Sequence, residues 1–194
     1  KPDIHVIKSV LAITNNPARK QQPYHIVAEM HDPRNLEAAA LVGGKEAIYV
    51  QGEDLIARVT AQTCRQSGLS VVYTELPDFD GAEIYFKAEP SLAGRTYREV
   101  ISAYEDSTVM GLMRASGEVL LNPPMDTAFE RDDQVIAITE DDDTLVLRGD
   151  AGGGLPDTGT LANRRRLPPA PERILILGWN EKAEAIIAEL DNYV

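Results

Sequence analysis

Residues 24–30, YHIVAEM, are a short apolar run that ends in a carboxylate, the pattern of a parallel strand covered on both faces. Ahead of it, Ile4, Ile7 and Leu11 recur at helical spacing through residues 4–14, and Asn15-Asn16-Pro17 closes that stretch, which predicts a helix. PRNLEAAALVGG at 33–44 predicts a second helix, with Asn35 as its cap, alanines through its body and Gly43-Gly44 as its stop. EAIYV at 46–50 is the next strand. EDLIARVTAQTCRQSG at 53–68 is a longer helix with acids in its first turn and Leu55, Ile56, Val59 and Thr63 along one face. Strands alternating with helices at this spacing predict βαβ units and a parallel sheet. Two strands are too few for a doubly wound sheet, so the pattern reads as half of such a lobe.

The texture changes after about residue 80. AEIYFKA at 82–88 alternates, with Ala82, Ile84, Phe86 and Ala88 on one side and Glu83, Tyr85 and Lys87 on the other, as a half-exposed strand does. TYREVISAY at 96–104 opens with a capping box, Thr96 to Glu99, and predicts a helix. Strands are expected at 107–114, 117–121 and 134–139, with turns at Ser116-Gly117 and Pro123-Pro124. These elements make a small α+β lobe. Residues 148–171 are rich in Gly, Pro and polar side chains and include Arg164-Arg165-Arg166, the composition of a linker. ERILILGWNEKAEAIIAELDNYV at 172–194 reads as a strand at 173–177, one glycine, and a helix capped by Asn180 with Ala183, Ile186, Ile187 and Leu190 on one face. That strand is expected to pair beside 24–30 or its neighbours.

The chain has 194 residues and a formal net charge of −12. Such a balance repels phosphate backbones, so nucleic acid is not an expected partner. Cys64 is the one cysteine, which excludes an internal disulfide framework and is expected to be a small core residue. No apolar run reaches the roughly 20 residues that a membrane helix needs. His5, His25 and His31 show no metalloprotease spacing, and no serine sits in a nucleophile elbow. No catalytic residues are assigned, and the chain is not expected to be an enzyme. At the closing strand the run is GWNEKA, in which Asn180 and Ala183 replace two glycines of a dinucleotide fingerprint. A nucleotide is therefore not expected there. Three acidic groups stand out: Glu29, His31 and Asp32 at the end of a parallel strand, Asp78, Asp80 and Glu83, and Glu140 to Asp143. Oxygen ligands of this kind suit Ca²⁺, although none has the spacing of an EF-hand loop.

HIVAEMHDPRNLEAAALVGGKEAIYVQGEDLIARVTAQTC resembles the second half of the Rossmann-like lobe of an RCK domain, a regulator of potassium conductance. The stretch from LAGRTYREV to ITEDDD resembles the TrkA-C lobe that follows it, through L-x-G, a helix, G-x-x-R-x-x-G-E and N-P-x-x-D. LVGG, DLIARVTAQT, AEIYFK, LLNPPMD, ITEDDDT and PERILILGW are most similar to CASTOR/POLLUX-type channels and their bacterial relatives. The resemblance implies an α/β chain: residues 1–67 as the end of the N-lobe with its crossover helix, a hinge at 68–81, a TrkA-C lobe at 82–147, a linker at 148–171, and the first β-α of a second RCK unit at 172–194. It implies a ligand-sensing gating module of a potassium or calcium channel or transporter, on the cytoplasmic face of a membrane. The parent chain would carry the pore, and copies would pair through the crossover helix at 53–67. It also implies Ca²⁺ as a possible ligand, with Glu29 matching one calcium-binding acid, His31 standing where a second is expected and Asp32 beside it. Asp132-Asp133 stands where a Gly-Asp turn is usual, and the aspartate is expected to supply the positive φ. Two competing readings are a fragment of a dinucleotide-binding oxidoreductase and a soluble Trk/Ktr-like regulatory subunit.

Overall fold

A computed structural model describes residues 2–148 and 173–192. The chain forms two compact units. One runs to Ser70 and takes in the segment from Arg173 onwards; the other begins at Val71. The predicted linker, including Arg164 to Arg166, lies outside the described residues except for Arg148.

The first unit holds helix α1 (Pro2–Thr14), strand β1 (Ile26–Glu29), a 3₁₀ turn (Pro33–Asn35), helix α2 (Leu36–Gly43), strand β2 (Ala47–Val50) and helix α3 (Gly52–Arg65). β1 and β2 pair in parallel, from Ile26 opposite Ala47 to Glu29 opposite Val50. One face of this ribbon is half-buried; the other leaves Val27, Ile48 and Val50 exposed. α1 packs on α2 and β1, but through Val10 and Asp3 rather than the predicted stripe, since Ile4 and Leu11 are exposed. Asn35 does not cap α2; its amide reaches Asp3 instead, and Asp32 caps the preceding 3₁₀ turn through the Arg34 N–H. Gly44 ends α2 with φ 54°, as the sequence predicts.

Helix α3 is amphipathic in a different sense from the one expected. Ala57 and Ala61 are buried, while Leu55 and Ile56 are about half exposed. α3 packs against helix α6 (Ala183–Asp191), whose Ala183 is also buried. Small side chains let two helix backbones approach closely. Residues 173–177 belong to no strand, and Leu175 and Leu177 are more than three-quarters exposed. The expected pairing beside β1 does not form: β1 and β2 make a two-stranded sheet by themselves. The outer edges of that sheet stay open among the described residues, and 173–177 pairs with neither. Asn180 does not cap α6, which starts after Lys182; its side chain accepts from the Lys182 N–H at 2.9 Å. Cys64 is exposed, not a core residue.

Helix α4 (Leu69–Glu75) precedes the antiparallel sheet of the second unit, whose strands are β3 (Glu83–Ala88), β4 (Thr108–Met113), β5 (Val119–Leu121) and β6 (Gln134–Thr139), in the order β3-β6-β4-β5. The core lies on one face, where Val109, Leu112, Val135 and Ala137 meet Leu92, Val100, Tyr104 and Leu145. Helix α5 (Tyr97–Val100) is shorter than predicted but keeps its capping box: the Thr96 N–H donates to Glu99 Oε2 at 2.7 Å. Asp133 is buried and accepts from Arg114 and from the Glu130 N–H. The turn at 132–133 forms without positive φ; Asn122 is the one described non-glycine residue with that geometry.

β3 alternates as predicted, yet its sides are reversed. Tyr85 packs on the core, and Lys87 donates to the Leu145 carbonyl at 2.5 Å, while Ile84 and Phe86 face outward. The long stems of Tyr and Lys bury their carbon atoms and still place a polar tip at a partner.

Candidate functional site: a cleft at the carboxyl edge of the parallel strands

β1 and β2 run the same way, so both deliver their following loops to one edge. His31 and Pro33 come from the loop after β1, and Gln51, Glu53 and Asp54 from the start of α3 after β2. With Glu181, Lys182 and Ala185 they line a cleft of about 190 Å³. Open α/β sheets bind ligands at this edge. A larger groove of about 560 Å³ runs along the far ends of α3 and α6, from Ala61 to Leu69 and from Glu189 to Asn192. It has no strand end in its wall.

The loop after β1 is shaped by Asp3. Its Oδ1 accepts from the His31 N–H at 3.0 Å, and its Oδ2 accepts from the Asp32 N–H at 3.0 Å and from Asn35 Nδ2 at 2.7 Å. The amide of Asn35 and these two N–H groups hold the Asp3 carboxyl below the usual carboxylate range. Those donors are thus occupied by the protein's own carboxylate. What remains in the cleft is side-chain chemistry: Glu53, Asp54 and Glu181 against Lys182, with His31 Nδ1 at 3.7 Å from Glu53 Oε1. Asp54 is already engaged, accepting from Arg58 Nε at 2.7 Å.

The three predicted calcium candidates diverge in role. Both Asp32 oxygens accept from the Arg34 guanidinium, at 2.9 and 2.7 Å. Glu29 lies over the start of α3: a Cβ on Gly52 would stand 2.5 Å from Glu29 Oε1. This places a carboxylate by the positive end of the helix, a favourable position. His31 faces Glu53. Among the described residues no three His, Cys, Asp or Glu side chains converge to hold a metal ion.

The second acidic group separates as well. The Asp80 N–H donates to Asp78 at 3.3 Å within a turn, whereas Glu83 accepts from the Tyr85 hydroxyl at 3.3 Å. Burial raises the Tyr85 phenol, and Glu83 and Asp141 add to the rise. Asp141 caps the 3₁₀ turn Asp142–Thr144. Gly178 takes φ 90° but stands alone in its run, with Trp179 exposed beside it. No described helix is long and apolar enough to cross a membrane. Glu53, Glu181 and Lys182 did not stand out in the sequence, because residues more than a hundred positions apart carry no shared spacing; only Glu53, as a first-turn acid directly after a strand, left a trace.

Comparison with known proteins places this geometry in context. The family profile described as Castor and Pollux, part of voltage-gated ion channel, matches residues 53–150. The probable ion channel CASTOR of Oryza sativa subsp. japonica is 33% identical over 99% of this chain and 21% of its own length. The ion channel CASTOR of Lotus japonicus is 33% identical over 97% of the chain and 22% of its own length. The chain thus spans about a fifth of the length of these relatives. Among solved structures the human SLO3 gating ring matches with a TM-score of 0.54 and 16% identity, over 73% of this chain and 30% of that one. At that identity the likeness shows a shared fold.

Proposed function

The chain belongs to the Castor and Pollux ion-channel family, and from that premise we propose that it is a ligand-sensing gating segment of a cation channel, with the carboxyl-edge cleft as the sensor. The observation that carries this reading is the composition of the cleft wall: strand-end residues and the segment that opens α6 share one cavity. A ligand seated there touches both the sheet edge and α6, and α6 rests on α3. Binding can bias a gate only through its different affinity for two arrangements, about 5.5 kcal/mol for a full shift from 1:99 to 99:1. Several copies in one assembly can share that sum. The half-exposed Leu55 and Ile56 of α3 fit the pairing of copies through this helix.

With Asp54 taken by Arg58, Glu53 and Glu181 still outnumber Lys182 in the cleft wall, and Ca²⁺ is the first ion to try. Calorimetric titration of Ca²⁺, and separately of ATP, into the chain tests the reading. Saturable Ca²⁺ heat that weakens in Glu53→Gln and Glu181→Gln supports it. Absence of heat from either ligand, together with unaltered gating of the full-length channel carrying both substitutions, refutes it.

A further inference from the structure

Lys182 is the residue from which α6 starts. Its positive charge thus stands at the helix end that carries a partial positive charge of its own. Cations are favoured at the opposite end, and lysine is not one of the side chains that cap a helix start. The hydrogen bond formed at this turn uses the Lys182 backbone alone: its N–H donates to Asn180 Oδ1 at 2.9 Å. For the helix itself, lysine is a poor choice here.

The side chain is drawn inward all the same. Lysines commonly keep the ammonium group in water, yet the Lys182 side chain is only 26% exposed, while that of its neighbour Glu181 is 75% exposed. The segment is open to solvent, and of these two side chains only the lysine is withdrawn. It lines the cleft with Glu53 and Glu181. No tight ion pair holds it there. Among the described residues, the one carboxylate within 4 Å of Lys182 Nζ is Glu181, at 3.9 Å. Glu53 is met by His31 Nδ1 instead, at 3.7 Å.

We propose that Lys182 is a tethered competitor for the cleft: its ammonium group holds the place of the incoming cation, and a cation that binds pushes it out. The inference rests on the reading of the cleft as a cation sensor and adds how that sensor is restrained. Glu53 and Glu181 attract positive charge, and a lysine carried by the wall supplies it before any ligand arrives. A cavity of about 190 Å³ brings two cations close enough to repel each other strongly. A tethered group also acts at a high effective concentration, so Lys182 raises the ion concentration at which the cleft fills.

Displacement gives the sensor its lever. Lys182 leads directly into α6, and α6 packs on α3. In one arrangement the lysine is in and the ion out; in the other the ion is in and the lysine out. The two differ at the start of α6, which is the differential contact a ligand needs in order to shift an equilibrium.

Amine acetylation of the intact chain, read by peptide mass spectrometry, tests displacement directly. Lys8 and Lys45 are exposed and serve as internal references. Lys182 should react several-fold more slowly than they do without Ca²⁺, and approach their rate at saturating Ca²⁺. Calorimetry supplies the second measurement. Lys182→Met should bind Ca²⁺ about tenfold more tightly than wild type, the scale of one like charge removed at a few ångströms. Lys182→Arg, which keeps the charge, should show no such gain. Ca²⁺ heat in wild type with an unchanged Lys182 acetylation rate overturns the proposal and leaves the sensor standing, because a lysine that stays in place only repels the ion. Equal affinity of wild type and Lys182→Met has the same consequence. Heat in neither protein overturns the proposal together with the Ca²⁺ reading. Heat in Lys182→Met alone supports the proposal in its strongest form, with the tether excluding the ion altogether.

Discussion

The side-chain amide of Asn35 donates to Asp3 Oδ2 at 2.7 Å across thirty-two positions of sequence. With the His31 and Asp32 N–H groups on the same carboxylate, it fastens the first turn of α1 to the loop that floors the cleft.

This latch has a predictable pH dependence. The folded protein holds the Asp3 carboxyl below its ordinary value, so the unfolded chain takes up the proton first as pH falls. The stabilisation is complete above the unfolded pKa of about 3.9 and is lost as pH drops through the lower folded value. Asp3→Asn replaces an acceptor by an amide that cannot satisfy the same donors. Its thermal midpoint should lie below that of wild type at neutral pH, and the gap should narrow below about pH 4. A gap that persists unchanged in acid would show that the carboxylate charge is not what holds the latch.

In the second unit, Asp133 accepts from Arg114 Nη1 at 2.5 Å and from the Glu130 N–H at 2.7 Å, with its side chain only 1% exposed. Removing one member of a buried pair strands the other, at a cost of about 3–5 kcal/mol. Asp133→Ala should lose about 3 kcal/mol in urea unfolding, the lower end of that range because Arg114 keeps its bond to the Ala128 carbonyl. The double substitution Arg114→Met with Asp133→Leu should cost less than the single one. Equal losses would mean that the ion pair is not the source.

Gly111 tests the packing of β4 on β5. Alanine there would press on the Leu120 carbonyl and come within 3.1 Å of the Leu121 Cα, both backbone atoms that cannot rotate away. Gly111→Ala should destabilise by about 1–3 kcal/mol, the usual cost of overpacking, and should raise amide exchange in β5 before β6. Protection that stays uniform across both strands would contradict this order.

These cases mark how much a sequence discloses. Spacing was enough to find β1, α2, β2 and α3, because the hydrophobic period and the glycine stops at 43–44 act locally. The Thr96–Glu99 box was legible for the same reason: both partners lie within one turn. Period alone does not say which side of an element faces in. On β3 the side with Tyr85 and Lys87 is buried because their long stems reach the core and the Leu145 carbonyl. On α3 the alanines face α6 and the larger Leu55 and Ile56 do not. Glu29, His31 and Asp32 look like one group because they are neighbours in the chain, yet β1 ends at Glu29, the loop beyond it turns His31 towards Glu53, and Arg34 claims Asp32. Asp3, which no motif marked, depends on donors about thirty positions away.

The docking of α6 on α3 supplies the last expectation. α6 has nine residues, and an isolated helix shorter than about 12–15 residues is marginal in water. Its order therefore comes from packing, through Ala183 and the buried Ala57 and Ala61 side of α3. Arg58 adds a bond to Glu189 at 2.8 Å, but its side chain is half exposed, and ion pairs of that kind contribute little. Ala57→Leu inserts a branched side chain where a methyl group is fully buried, an overpacking worth about 1–3 kcal/mol. The helix with the least support of its own should yield first. Hydrogen exchange across 183–191 should rise strongly in Ala57→Leu, while β1 and β2 keep their protection and Arg58→Ala changes α6 only slightly. If Arg58→Ala frees α6 as far as Ala57→Leu does, the ion pair and not the alanine seam holds the helix, and the packing argument is wrong.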